Sequence, residues 1–207
     1  VYRTAALQAA KSADTALAAD QRIGPFHGVP FALKDIYDLA GHVTSCGSWE
    51  MRDRVSSQTG SIVRRLLDAG GILVGKTKTV ECALGGWGTN QHMGTPRNPW
   101  DLDHERVPGG SSSGSGVAVA SGIAMCATGS DTGGSVRLPA AYCGLTGLKV
   151  SKACLPTDGI MPLSDTLDTP GPMARSVADL ALMFAVMSGV SSVDIDRDMA
   201  VTAGLFD

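Results

Sequence analysis

The stretch Pro108–Pro139 contains two dense clusters of glycine and serine, and it constrains the fold more than any other segment. The clusters are Gly109–Gly116 and Gly129–Ser135, and the small apolar residues between them predict a short helix at Val117–Ile123. Glycine tolerates positive φ and lets other groups approach the backbone closely. Turns of this composition can therefore present a serine hydroxyl together with backbone N–H groups. The segment predicts that both turns meet around one point.

Two serines in these turns are candidates for chemistry. Ser135 follows two glycines, and such a serine can act as a nucleophile whose neighbouring N–H groups converge on a developing oxyanion. Ser111 also follows two glycines, and its hydroxyl can relay a proton to a base. The alternatives are structural: a glycine-rich turn at Ser135 and a helix N-cap at Ser111. A phosphate-binding P-loop does not fit, because Val117 and Ala118 stand where that motif requires lysine and a hydroxyl residue.

Lys34 is the candidate base, because none of the four histidines has a companion pattern around it. It lies in the apolar run Phe31–Tyr37, which predicts a strand with Lys34 facing the core or at the strand end. A lysine is a base only when neutral, and burial lowers its pKa from about 10.4 toward that state. A solvated surface lysine is the alternative.

Helical and strand patterns alternate along the first part of the chain. Residues 4–20 have helical composition, Gly60–Ala69 has the spacing of an amphipathic helix, and Ile72–Lys76 has the composition of a buried strand. This alternation predicts an α/β fold with a mixed or parallel sheet. Without a repeat or a linker, residues 1–207 are interpreted as a single domain.

The second part of the chain contains more turn signals. Thr169–Pro172 has the composition of a turn. Ser176 followed by Asp179 predicts the start of a helix, and Gly189 predicts its end. The last segment, 191–207, has no clear period.

The composition argues against several classes of partner. The net charge is −3 and only 5% of residues are aromatic, which favours neither nucleic acid nor an anionic membrane as partner. No apolar run approaches the roughly 20 residues that span a bilayer. The five cysteines contain no C-x-x-C pair, which predicts reduced thiols, no metal site and a cytoplasmic location.

Seven short motifs occur in order between about Gly24 and Gly189. They are Gly28-Val-Pro-Phe-Ala-Leu-Lys34-Asp, Gly75-Lys-Thr, Thr95-Pro-Arg-Asn-Pro-Trp100, Pro108-Gly-Gly-Ser-Ser112, Gly129-Ser-Asp-Thr-Gly-Gly-Ser-Val-Arg137-Leu-Pro, Cys143-Gly-Leu-Thr-Gly-Leu-Lys149 and Leu167-Asp-Thr-Pro-Gly171. In this order they resemble the amidase signature family of serine hydrolases.

The resemblance implies a role for each residue of a Ser–cis-Ser–Lys triad. Ser135 would be the nucleophile, Ser111 the relay after a cis peptide bond, and Lys34 the base. The oxyanion would be held by N–H groups of Thr132, Gly133, Gly134 and Ser135. Asp131 and Arg137 would support this loop, and no cofactor or metal is implied.

The resemblance also implies a fold, namely an α/β fold with a mixed, largely parallel central sheet covered by helices on both sides. Two positions depart from the usual pattern: Val150 replaces a proline and Ser113 replaces a glycine. Family domains normally continue well past 207 residues, so we expect a fragment or a truncated chain that lacks part of the acyl pocket.

Three functions remain open from the sequence. The first is an amidase that acts on a small linear amide. Such an amidase can be a homodimer and needs no nucleic acid as a partner. The second is the A subunit of a glutamine-dependent tRNA amidotransferase, which would deliver ammonia to a partner protein. The stretch Lys149–Cys154 departs from the form typical of such subunits, which favours a stand-alone amidase. The third is a truncated, non-catalytic binding protein.

Overall fold

The structure, a computed structural model, describes residues 1–190, and the segment 191–207 lies outside the described residues. The helices of the described part are α1 (Arg3–Ala18), α2 (Ser61–Asp68), α3 (Ser113–Ala120), α4 (Arg137–Cys143) and α5 (Val177–Ser188). The strands are β1 (Pro30–Lys34), β2 (Ile72–Thr77), β3 (Cys126–Asp131), β4 (Thr146–Gly147) and β5 (Thr169–Ala174). A short 3-10 turn covers Glu81–Ala83.

The strands form a mixed sheet in the order β2-β1-β3-β5-β4. Strand β1 lies between β2 and β3 and is parallel to both, whereas β5 is antiparallel to β3 and β4. The expected α/β fold with a mixed central sheet is therefore confirmed. The expectation of a largely parallel sheet is confirmed for strand direction, because four of the five strands within residues 1–190, β1 to β4, run the same way. The returning strand β5 runs opposite and makes the pairings on its two sides antiparallel.

The alternation of side chains along β1 gives the sheet two covered faces. Phe31 and Leu33 belong to the larger hydrophobic core, together with residues of α2 and α5. Ala32 faces the other way and packs with Ala118 and Val119 of α3. Small side chains on this second face allow the backbone of α3 to approach the sheet. The expected helices on both faces are present.

Helix α5 begins and ends at the residues that the sequence predicts. The Ser176 hydroxyl accepts a hydrogen bond from the N–H of Asp179 at 3.1 Å, which satisfies one free donor of the first turn. Gly189 follows the last helical residue with φ of +78°, the left-handed conformation that glycine adopts most easily. Both boundaries depend on local contacts, so the sequence alone predicts them.

The boundaries around the second serine cluster differ from the prediction. Gly129 and the two residues after it belong to strand β3, so the turn begins only at Thr132. The predicted helix at Val117–Ile123 instead starts at Ser113 and ends at Ala120. Serine and glycine are weak helix formers, but here the first turn of α3 is buried, and packing outweighs intrinsic propensity.

The predicted turn at Thr169–Pro172 is wrong, because these residues form the first part of β5. Proline lacks the N–H that a sheet ladder uses, so a strand with two prolines is unusual inside a sheet. The carbonyl of Pro172 accepts a hydrogen bond from the N–H of Leu148 at 3.2 Å, so the backbone polar groups of Pro172 face β4. Because β4 has only two residues, few donors are needed on that side of β5.

Helix α1 is rich in alanine and lies at the side of the sheet that β2 forms. Of the side chains of α1, only Ala13 is buried. The residue before the helix, Tyr2, is held against β2 by a hydrogen bond from its N–H to the carbonyl of Val74 at 2.9 Å. None of the helices within residues 1–190 is both long and apolar enough to cross a membrane.

We expect shortening of a side chain in the larger hydrophobic core, between β1 and α2, to destabilise the protein strongly. Leu66 of α2 is fully buried, so Leu66→Ala should lower the free energy of unfolding by about 2–5 kcal/mol. Leu7 of α1 is 55% exposed, so the matched change Leu7→Ala should cost about 0.5 kcal/mol or less. Urea unfolding of both variants checks this, and equal losses would contradict the assignment of the core.

Candidate active site

Lys34 lies at the carboxyl end of β1, next to the end of β3. Parallel strands end at the same edge of a sheet, and the N–H of Lys34 donates to Thr128 Oγ1 of β3 at 3.0 Å. The Lys34 side chain is fully buried. It is therefore not a solvated surface lysine, and the sheet holds its amine where two adjacent strands end.

The Lys34 amine contacts two serine hydroxyls. Its Nζ donates to Ser111 Oγ and to Ser130 Oγ, each at 2.8 Å. Burial lowers the pKa of Lys34 to about 7, although the carboxylates of Asp131 and Asp168 act in the opposite direction. Near neutral pH a large fraction of this lysine is a neutral amine in contact with Ser111.

Ser111 is held from its backbone. The peptide bond between Gly110 and Ser111 is cis. The carbonyl of Ser111 accepts hydrogen bonds from Thr79 Oγ1 at 2.9 Å and from the N–H of Val80 at 3.2 Å. A Cβ atom at Gly110 would lie 2.7 Å from the N atom of Gly88, so only glycine fits this close approach. These contacts set the position of the Ser111 hydroxyl.

Ser112 joins the two serine clusters. Its N–H donates to the carbonyl of Ser135 at 3.3 Å, and its Oγ accepts from the N–H of Ser130 at 3.3 Å. Ser112 also occupies the N-cap position of α3, so Ser111 is not the helix cap. The two turns therefore lie side by side, as the sequence predicts.

One carboxylate organises the turn after β3, residues 131–137, which we call the Asp131 loop. The Asp131 side chain is buried and accepts hydrogen bonds from the N–H groups of Gly134 at 2.8 Å, Val136 at 3.2 Å and Arg137 at 3.3 Å. The Arg137 guanidinium adds two contacts, at 3.1 Å and 3.0 Å. Burial acts to raise the pKa of Asp131, but these donors outweigh it and lower the pKa. The carboxylate is thus charged at neutral pH.

The N–H groups of the Asp131 loop have different partners. The resemblance implied that the Gly134 N–H donates to an oxyanion, but it donates to Asp131 instead. Within residues 1–190 no hydrogen bond is found for the N–H groups of Thr132, Gly133 and Ser135. The Ser135 side chain is partly exposed, and no hydrogen bond joins its hydroxyl to that of Ser111 in the described part of the chain.

Two polar residues of this region were not singled out from the sequence. Ser130 bonds the Lys34 amine, and Asp168 accepts a hydrogen bond from the Thr132 hydroxyl. Strand alternation could have identified Ser130, which precedes Asp131 at the end of β3. Asp168 lies in the motif Leu167-Asp-Thr-Pro-Gly171, yet its contact depends on the antiparallel return of β5 and has no local signal.

A cleft opens beside these residues. Its walls include Ser130 and Thr132 on one side and the segment 157–168, the cleft loop, on the other. Ile160, Met161 and Leu163 make the lining partly apolar. The cleft therefore borders Thr132, for whose N–H group no hydrogen bond is found within residues 1–190.

Comparison with known proteins assigns the family. A family model described as Amidase matches residues 1–204, so the chain belongs to the amidase family. The resemblance stated from the seven motifs is thus confirmed.

Similar sequences carry different names. The chain is 48% identical to a 2-amino-5-chloromuconic acid deaminase of Comamonas testosteroni over 182 residues, covering 88% of this chain and 39% of the relative. It is 44% identical to the A subunit of the glutamyl-tRNA(Gln) amidotransferase of Acidothermus cellulolyticus over 184 residues, covering 89% of this chain and 36% of the relative.

A similar solved structure is the native peptide amidase of Stenotrophomonas maltophilia. The TM-score is 0.83 and the identity 40%, over 91% of this chain and 39% of that one. The chain thus spans about two fifths of the length of the proteins it matches.

The buried lysine predicts how stability depends on pH. Because its pKa is about 7 in the folded protein and about 10.4 in an unfolded chain, the unfolded state binds more protons between these values. The free energy of unfolding should therefore rise with pH across this window, by roughly 5 kcal/mol. Lys34→Met should remove the rise.

Lys11→Met is the matched control, because Lys11 is exposed on α1. Urea unfolding between pH 6.5 and 9.5 measures the effect. A wild-type slope that persists in Lys34→Met would show that another group causes it.

Proposed function

We propose that this protein hydrolyses the C–N bond of a carboxamide through an acyl-enzyme on Ser135. The observation that carries the proposal is the 2.8 Å contact between the buried Lys34 amine and Ser111 Oγ, in a site where the pKa of Lys34 is lowered to about 7. Membership of the amidase family supports amide hydrolysis as the reaction class. The serine mechanism and the roles below are our proposal.

In the acylation step, Ser111 relays a proton. Neutral Lys34 accepts the Ser111 proton on its nitrogen lone pair while Ser111 accepts the proton of Ser135. Ser130 can accept a hydrogen bond from one N–H of the neutral amine, which leaves the lone pair for the Ser111 proton. The Ser135 hydroxyl has to rotate to Ser111, and the contact from Ser112 N–H to the Ser135 carbonyl keeps their backbones adjacent.

The electrons then move in two stages. Ser135 Oγ bonds to the amide carbon, and the C=O π pair moves to the oxygen to form an oxyanion. When the C=O bond re-forms, the C–N bond breaks, and Lys34 returns its proton through Ser111 to the departing nitrogen. Ammonia or an amine leaves, and an ester remains on Ser135. Water attacks this ester by the same route, which releases the carboxylic acid and restores the serine.

The Asp131 loop would stabilise the oxyanion. The N–H groups of Thr132, Gly133 and Ser135 are the proposed donors, since Gly134 is bonded to Asp131. A preorganised donor of this kind contributes about 3–4 kcal/mol to the transition state. Asp131 and Arg137 act by holding the loop in this shape.

We further propose a small linear amide as substrate, without cofactor, metal or nucleic acid, in a cytoplasmic protein that can form a homodimer. The cleft between the Asp131 loop and the cleft loop would receive part of the substrate. All five cysteines are free, which supports a reducing compartment. We also propose that residues 1–207 belong to a single domain.

A second candidate is the A subunit of a tRNA-dependent amidotransferase. The relative of that name in Acidothermus cellulolyticus, 44% identical to this chain, favours it. The two functions differ in their substrate and in whether activity requires a partner protein. An amidotransferase subunit would release ammonia from glutamine, and only in the presence of its partner. Glutaminase activity that appears only when a partner is added would support this candidate over a stand-alone amidase.

A third candidate is a non-catalytic binding protein. The intact contact between Lys34 and Ser111 argues against a degraded site. A protein that unfolds cooperatively yet hydrolyses no amide would favour this candidate.

Covalent labelling tests the proposed nucleophile. After incubation with a fluorophosphonate, intact-mass spectrometry should show one adduct on the wild type and none on Ser135→Ala. Lys34→Ala should label at least about 10³-fold more slowly, because the base that activates the serine is lost. Ser121→Ala is a control, because this exposed serine lies at the end of α3. An adduct that persists in Ser135→Ala would rule out Ser135.

The lowered pKa of Lys34 also predicts the pH dependence of activity. A base must be neutral, so kcat/KM should rise about tenfold per pH unit below pH 7 and level off above it. Initial rates with a simple amide between pH 5.5 and 9.5 measure this. A rate that falls steadily from pH 7 to 9 would exclude Lys34 as the base.

A further inference from the structure

The antiparallel return of β5 brings Asp168 next to the Asp131 loop. Asp131 at the end of β3 pairs with Thr169 at the start of β5, and the Thr169 hydroxyl donates to the Asp131 carbonyl at 2.9 Å. The residues just beyond this pair are therefore neighbours: Thr132 follows β3, and Asp168 precedes β5. The register of two strands, rather than local sequence, creates the contact.

The Asp168 carboxylate uses both of its oxygens. Oδ1 accepts a hydrogen bond from the Thr132 hydroxyl, while Oδ2 accepts from the N–H groups of Leu163 at 2.7 Å and Ser164 at 2.9 Å. Burial acts to raise the pKa of Asp168, but these donors outweigh it and lower the pKa, so the group is charged at neutral pH. One side chain thus joins the Asp131 loop to the cleft loop.

This bridge acts where the Asp131 loop has least support. Asp131 itself bonds the later part of the loop, at Gly134, Val136 and Arg137. Gly133 is exposed with open space around it, and glycine has more backbone freedom than any other residue. The hydrogen bond from the Thr132 hydroxyl to Asp168 restrains the part of the loop that precedes Gly133.

We propose that Asp168 is a positioning residue that aims the N–H groups of Thr132 and Gly133 by holding the Thr132 hydroxyl. Its effect on catalysis rests on the proposed function, because these N–H groups are the proposed oxyanion donors. The same carboxylate also accepts hydrogen bonds from Leu163 and Ser164 of the cleft wall. Asp168 therefore couples the position of the cleft wall, which contacts the substrate, to the orientation of the N–H donors.

The first test is a double-mutant cycle on the full protein. Thr132→Val removes the hydroxyl and should lower kcat about tenfold or more, with little change in KM, because donors of an oxyanion act in the transition state. Asp168→Asn should lower kcat similarly and also raise KM, because the cleft loop loses its acceptor. The double variant should lose no more kcat than the worse single variant, since both changes break one contact.

Two matched variants accompany the cycle. Thr132→Ser keeps the hydroxyl and should restore kcat to within a few-fold of the wild type. Asp14→Asn removes an exposed carboxylate of α1, away from the cleft, and should leave kcat and KM unchanged. Effects of Thr132→Val and Asp168→Asn that multiply in the double variant, or a wild-type kcat in Thr132→Val, would overturn the proposal.

Amide hydrogen exchange provides a readout that does not depend on activity. Peptides covering residues 132–136 should exchange faster in Thr132→Val and in Asp168→Asn, and at the wild-type rate in Asp14→Asn. If this pattern appears while the wild type neither reacts with a fluorophosphonate nor hydrolyses amides, the bridge stands and the proposed function fails. If labelling succeeds but exchange is unchanged in both variants, the function stands and the bridge is overturned.

Discussion

The complete burial of the Lys34 amine is the constraint on which the arrangement of this protein depends. Taking a lysine out of water disfavours its charged form, and the fold offsets that cost with two hydroxyl contacts, from Ser111 and Ser130. Ser130 is positioned by strand β3, and Ser111 is positioned by the hydrogen bonds to its backbone carbonyl. The three strands β1, β3 and β5 therefore meet at one edge, where the polar groups are concentrated.

The residue that follows β1 is also held in place, by contacts with β2 and with the segment around Ser45. Asp35, the residue after Lys34, forms an ion pair with Lys76 of β2 at 2.7 Å and accepts a hydrogen bond from the N–H of Ser45 at 3.1 Å. The end of β1 is thus held through two successive side chains that point in different directions. Because the proposed base has to contact Ser111 within a narrow distance, it requires a strand end that does not move.

The electrostatics of the site result from a balance between burial and two carboxylates. Burial favours a neutral Lys34, while the negative charges of Asp131 and Asp168 favour an ammonium, and the resulting pKa is about 7. Both carboxylates stay charged because they accept several hydrogen bonds from backbone N–H groups. The groups that shape the Asp131 loop therefore also set the proton affinity of the proposed base.

Features that depend on neighbouring residues can be predicted from the sequence: the α/β alternation, the caps of α5 at Ser176 and Gly189, and the motifs that carry Lys34, Ser111 and Ser135. Features that depend on strand register arise only in the folded sheet. Strand pairing placed Thr169–Pro172 in β5, and it brought Ser130 to Lys34 and Asp168 to Thr132. Contacts between residues far apart in the chain leave no periodic pattern, because they arise only when the sheet forms.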